Sequence, residues 1–117
     1  MSWELVVKHK FAAAHFLQNY KGKCENMHGH TFEIEVYFKV AENGLNAAGI
    51  GIDFTEIKQY LRDILPDHQL LNEEFEFSPS AENLSRHFYY RIKEKFPVSR
   101  VVIWESENAA ASYTEDQ

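Results

Sequence analysis

The sequence is poorest in the residue whose chemistry is most often diagnostic: its 117 positions include one cysteine, Cys24. A lone thiol cannot close an internal disulfide, so a disulfide-framework domain is excluded, and a free thiol fits a reducing cytoplasm. A chain of this length buries roughly two thirds of its unfolded surface and needs no such staple. Long apolar runs are missing too. None approaches the roughly 20 residues that span a bilayer, so no membrane partner is expected. Met1 to Leu5 shows no basic region followed by an apolar core, so no leader segment is expected. Positive charge is the minority sign, with 12 Lys and Arg against 18 Asp and Glu and a net charge of -6. That balance argues against broad nucleic-acid binding, and an anionic ligand would need a local basic patch. No repeat, low-complexity run or linker divides the chain, so residues 1-117 are expected to form one domain.

What the chain does have is aromatic residues, 15% of it, and a cluster of histidines. The stretch Cys24-Glu25-Asn26-Met27-His28-Gly29-His30 sets the cysteine three residues before a His-Gly-His. The eight residues from Phe32 to Lys39 then alternate apolar and polar, which is a strand signature. If that period of two reaches back to His28, both imidazoles project from one face, because successive strand side chains point to opposite sides. Two imidazoles on one side can close on a metal ion, yet a catalytic zinc site wants three protein ligands and an open position. His15, at the end of Phe11-Ala12-Ala13-Ala14-His15, is the best third ligand, since the small residues around it let another group approach. Read blandly, the same histidines make ordinary hydrogen bonds in the core or at the surface.

Residues 3 to 11 alternate Trp3, Leu5, Val7, His9 and Phe11 against Glu4, Lys8 and Lys10, with Val6 as the one exception, which predicts a first strand. Residues 17 to 27 read as a loop that brings Cys24 toward the second strand, which runs to about Val40. In that loop Lys21 and Lys23 flank Gly22. They are solvated lysines or contacts for an anionic leaving group. Asp53 is placed to cap a helix whose stripe is Ile57, Tyr60, Leu61, Ile64 and Leu65, with Pro66 as its stop. Asp67-His68 follows, either a turn or a proton-transfer pair.

Ser78 or Ser80 can cap a second helix, Glu82 suits its positive end, and Ala81, Leu84, Phe88 and Ile92 form its stripe before Pro97. Val98 to Glu105 predicts a third strand, with Glu105 on the side of Val101 and Ile103. A carboxylate there either faces solvent at the strand end or needs a strong partner. Ala109, Ala111 and Tyr113 suggest a fourth strand. The expected fold is α+β, an antiparallel four-stranded sheet with two helices on one face, in the order ββααββ. Oligomerisation is one way to cover the two sheet edges.

Assembled in order, these pieces resemble the 6-pyruvoyl-tetrahydropterin synthase family, and within it the bacterial 6-carboxy-5,6,7,8-tetrahydropterin synthases of queuosine biosynthesis. The matching motifs are Phe11-Ala12-Ala13-Ala14-His15, Cys24-x-x-x-His28-Gly29-His30, Asp53-Phe54, Asp67-His68-x-x-Leu71-Asn72, Pro79-Ser80-Ala81-Glu82-Asn83, Trp104-Glu105 and Ala111-Ser112-Tyr113. Each alone is weak. Their ordered set covers nearly the whole chain. Three residues between the cysteine and the His-Gly-His are similar to the carboxy enzymes, whereas the pyruvoyl enzymes typically have a longer gap. Position 81 is an alanine where family members often carry threonine, which puts a hydroxyl contact there in doubt.

The resemblance implies a tunnelling fold (T-fold) that closes sheets into a barrel, commonly as two stacked trimers. It implies Zn2+ on His15, His28 and His30, and 7,8-dihydroneopterin triphosphate as substrate, converted to 6-carboxytetrahydropterin with loss of triphosphate and acetaldehyde. Cys24, His68, Asp67 and Glu105 are the expected catalytic residues. Glu105 is expected to hold the pterin, with Ser80, Glu82, Lys21 and Lys23 as further substrate contacts. The alternatives are a pyruvoyl-tetrahydropterin synthase, a non-catalytic zinc-stabilised pterin-binding module, and a closed structural site with Cys24 as fourth ligand.

Overall fold

The computed structural model describes residues 1-17 and 26-115. Two long strands, β1 (Ser2-His15) and β2 (His28-Ala41), pair antiparallel along their full length, from Ser2 opposite Ala41 to His15 opposite His28. The alternation that predicts them also sorts their faces. Val7, Phe11, Ala13 and His15 of β1 are buried, as are Phe32, Ile34, Val36, Phe38 and Val40 of β2. Odd positions of one strand and even positions of the other therefore share one core face.

Helix α1 (Phe54-Ile64) starts where Asp53 accepts a hydrogen bond from the Thr55 amide at 2.9 Å. It ends at Leu65, whose N-H donates to the Leu61 carbonyl, directly before Pro66. Helix α3 (Ala81-Lys93) is capped by Ser80, whose hydroxyl accepts from the Asn83 amide at 3.1 Å. Ile57 and Leu61 of α1 and Leu84, Phe88 and Ile92 of α3 join the inward strand residues in one core cluster. The helices thus cover a single face of the sheet. Strands β4 (Val98-Trp104) and β5 (Ala110-Tyr113) complete its other side.

Between α1 and α3 the sequence-based expectation fails. A two-residue strand β3 (Gln69-Leu70) pairs parallel to β1 at Ala13 and Ala14, and a single helical turn α2 (Leu71-Glu74) follows it. Among the described residues the sheet is therefore five-stranded and mixed, in the order β3-β1-β2-β4-β5, not four-stranded and antiparallel. Among these same described residues, three helices stand where two were predicted. The reason is length. Two residues cannot display a period of two, and one turn cannot display a period of 3.6. Both elements exist because β1 offers them an edge to bind.

Candidate metal centre

The hairpin pairing brings the predicted ligands together. His15 lies opposite His28 and Ala13 opposite His30, so three imidazoles stand on the core face at one end of the sheet with a methyl group as the spacer. Their ring centroids are 4.7 to 5.0 Å apart, and each ring offers one nitrogen within 4.8 Å of the other two. Phe32 closes the floor, 5.4 Å from His15 and 5.5 Å from His30. His15 is fully buried.

Two backbone carbonyls orient the rings. His15 Nδ1 donates to the Pro79 carbonyl at 2.9 Å, and His28 Nδ1 donates to the Asn26 carbonyl at 2.9 Å. A carbonyl only accepts, so each Nδ1 carries its ring's proton and each Nε2 is left as a lone pair when the ring is neutral. These two Nε2 atoms face each other at 3.1 Å. Two lone pairs that close call for a shared cation. Ligands about 2.0-2.1 Å from a tetrahedral zinc lie ~3.4 Å apart, so the spacing of these nitrogens suits that ion. The donor set and its carbonyl-anchored tautomers fit a divalent metal.

Glu105 lies one residue past the end of β4. Its N-H donates to the Ala109 carbonyl at 3.0 Å, which fixes the turn into β5. Its carboxylate reaches the histidines, with Oε2 3.5 Å from His15 Nε2 and Oε1 4.0 Å from His30 Nε2. The side chain keeps a third of its surface exposed, so a ligand can still touch it. At this strand end the carboxylate is thus part exposed and part turned toward two imidazoles.

Asp67 and His68 also form a pair, with Asp67 Oδ2 3.0 Å from His68 Nδ1. The other carboxylate oxygen accepts the Ala12 amide at 2.8 Å, and the His68 N-H donates to the Ala12 carbonyl. The Ala12 amide, and after it the His68 charge, hold the Asp67 carboxyl below its usual range, so it stays ionised. His68 sits in the left-handed region at φ 59°, an unfavourable conformation for a residue with a Cβ. Its ring is largely exposed. His30 and His68 line the same open concavity of about 590 Å³, together with Ala12, Ala14, Gly29 and Thr31.

The remaining expected contacts divide in two. Ser80 uses its hydroxyl as the α3 cap, and Glu82 is exposed in the first turn of that helix. Cys24, Lys21 and Lys23 lie outside the described residues. Sequence reading missed the two carbonyls of Asn26 and Pro79, since a backbone acceptor leaves no residue-type signal. It also left Asn72 without a role, although its side chain bonds the backbone next to His15.

The model of the family described as 6-pyruvoyl tetrahydropterin synthase matches residues 4-116. The chain belongs to that family. A relative in Archaeoglobus fulgidus is 37% identical over 103 residues, 84% of each chain, and provisionally bears the name 6-carboxy-5,6,7,8-tetrahydropterin synthase. The protein of that name in Haemophilus influenzae is 25% identical over 133 aligned positions, covering 90% of this chain and 94% of its own. Among solved structures, the 6-pyruvoyl tetrahydropterin synthase of Caenorhabditis elegans superposes with a TM-score of 0.84. That match covers 99% of this chain and 97% of the other at 22% identity, so it speaks for the fold. No helix among the described residues is long and apolar enough to cross a membrane.

Proposed function

We propose that this protein is a zinc-dependent 6-carboxy-5,6,7,8-tetrahydropterin synthase. It converts 7,8-dihydroneopterin triphosphate with release of triphosphate and acetaldehyde, in the route to queuosine. The observation that carries the proposal is the convergence of His15, His28 and His30, with anchored Nδ1 atoms on two of them, beside Glu105. Relatives named as carboxy synthases support the choice of product.

His15, His28 and His30 hold the zinc ion. When bound, it supplies Lewis acidity that lowers the pKa of substrate hydroxyls and steadies negative charge as a neighbouring carbon loses its proton. Cys24 takes that proton as a thiolate. A free thiol has a pKa of about 8.5, so it needs positive charge nearby to serve at neutral pH. His68 exchanges protons on the other side of the substrate. The contact from Asp67 keeps a proton on Nδ1, so Nε2 is the working nitrogen. Glu105 accepts hydrogen bonds from the pterin amino group and ring N-H, a paired recognition suited to a carboxylate. Lys21 and Lys23 hold the triphosphate, while Ser80 and Glu82 contribute to the pterin pocket through the start of α3.

The protein works in the cytoplasm as a homohexamer of two stacked trimers. Among the described residues the outer edge of β1 has a strand partner only at Ala13 and Ala14, which leaves an edge for another copy to pair. Sedimentation velocity tests this, and a monomer would sink it. The decisive experiment for the reaction is incubation of zinc-loaded protein with 7,8-dihydroneopterin triphosphate, chromatography of the pterin and an acetaldehyde assay. A carboxy product with one equivalent of acetaldehyde is expected. A pyruvoyl product without acetaldehyde moves the protein to the neighbouring activity, and unchanged substrate reduces it to a binding module.

A further inference from the structure

The outer edge of β1 is splinted by one short segment. Ala12 bonds Asp67 and the His68 amide, and Ala13 and Ala14 pair with Gln69 and Leu70. The ladder of β3 stops there, one residue short of His15. Phe16 is nevertheless held on the same edge. Its N-H donates to Asn72 Oδ1 at 3.0 Å, and its carbonyl accepts from Asn72 Nδ2 at 2.9 Å. One primary amide thus gives Phe16 the donor and acceptor that a neighbouring strand would give. Only Asn and Gln carry both groups side by side.

The end of β1 is consequently gripped from both sides. His15 faces His28 on the β2 side, while Ala14 and Phe16 are held by Leu70 and Asn72 on the other. The ring of His15 keeps its inward Nε2 only if its backbone stays in register, since Nδ1 must still reach the Pro79 carbonyl. Without the amide, Phe16 would be free to peel from the edge and carry His15 with it. We infer that Asn72 is a positioning residue for the three-histidine centre, acting through its two bonds to the Phe16 backbone. The inference rests on the reading that these histidines bind a divalent cation. Partners outside the ligand set typically change metal affinity 10-100-fold.

Wild type, Asn72→Ala and Asn72→Asp are to be compared for Zn2+ affinity by chelator competition, for the visible spectrum of the Co2+ form, and for amide exchange at Phe16. Asp keeps the shape but turns an acceptor toward the Phe16 carbonyl. Tyr113→Phe, which removes a hydroxyl contact to Tyr90 away from the histidines, controls for general loosening. Both Asn72 variants are expected to bind zinc about 10-100-fold more weakly, with an altered Co2+ spectrum and faster exchange at Phe16. The control is expected to match wild type. Wild-type affinity and spectrum in folded Asn72 variants would overturn the inference. If neither variant folds, exchange at Phe16 in the wild type decides: protection like that of Ala14 upholds the clamp, and free exchange refutes it. A wild type that takes up no metal overturns the centre and this role together. A wild type that binds zinc but forms no pterin product overturns only the reaction.

Discussion

Two layers on one face of the β1-β2 hairpin share a backbone geometry and differ in what their rings do. In the inner layer Phe11 lies opposite Phe32 and stacks on it at 5.2 Å, with Phe88 of α3 against its edge. Four residues further along β1, His15 lies opposite His28 in the same kind of pair. The phenyl layer is held by area removed from water, which is indifferent to ring rotation. The imidazole layer depends on direction, because a nitrogen turned the wrong way is no ligand. Hence the phenyl pair needs no polar partner to fix its rings, whereas His15 and His28 each have a carbonyl behind the ring. Ala13 separates the layers, and its small side chain is what leaves room for His30 across the pair.

The sharpest break in this comparison comes from one substitution in each layer. His15→Ala is expected to lose zinc by more than the ~10-100-fold that an outer partner costs, and turnover with it, while the fold survives. Phe32→Ala should instead cost about 3-5 kcal/mol of folding stability by denaturant titration. If His15→Ala unfolds the protein while Phe32→Ala does not, the division of labour is wrong. Cys24→Ala separates chemistry from metal binding, with zinc retained by elemental analysis and product formation abolished. Loss of both would make the thiol a ligand.

Next in size is the spacer. Ala13→Leu overfills the gap between the layers, at about 1-3 kcal/mol by thermal melting, and should lower zinc affinity by displacing His30. Asp67→Asn should lower turnover on the order of 10²-10⁴-fold if His68 moves protons. It also carries a pH signature. The Asp67 carboxyl is depressed in the folded state, so its stabilisation is present above the unfolded carboxyl pKa and fades as pH falls through the folded value. Melting temperatures below about pH 4 should therefore drop more steeply in wild type than in Asp67→Asn. The smallest effect on stability is expected from His68→Gly, which relieves the left-handed strain and should raise stability by roughly 1 kcal/mol or less, although it removes the proposed proton-transfer group.

Much of this architecture was legible residue by residue. Strict alternation from Phe32 to Lys39 revealed both the strand and the face that His28 and His30 occupy. Asp53 and Pro66 bracketed α1, and Ser80 capped α3. What escaped were elements too short to carry a period, β3 and α2, and groups with no side-chain identity, the carbonyls of Asn26 and Pro79. Asn72 stood in view within Asp67-His68-x-x-Leu71-Asn72, yet an amide in a loop has many uses until its partner is known.

By itself, then, the sequence determined which side chains share a face, because strand and helix periods are local properties of the backbone. It also offered His28 and His30 as a same-face imidazole pair, since they stand two residues apart on a strand. Only the tertiary structure decided that His15 would meet His28, that Glu105 would arrive beside them from the far side of the sheet, and which nitrogen each ring would turn inward. Those outcomes depend on strand register and on carbonyls delivered by distant segments, and neither is encoded in any run of neighbouring residues.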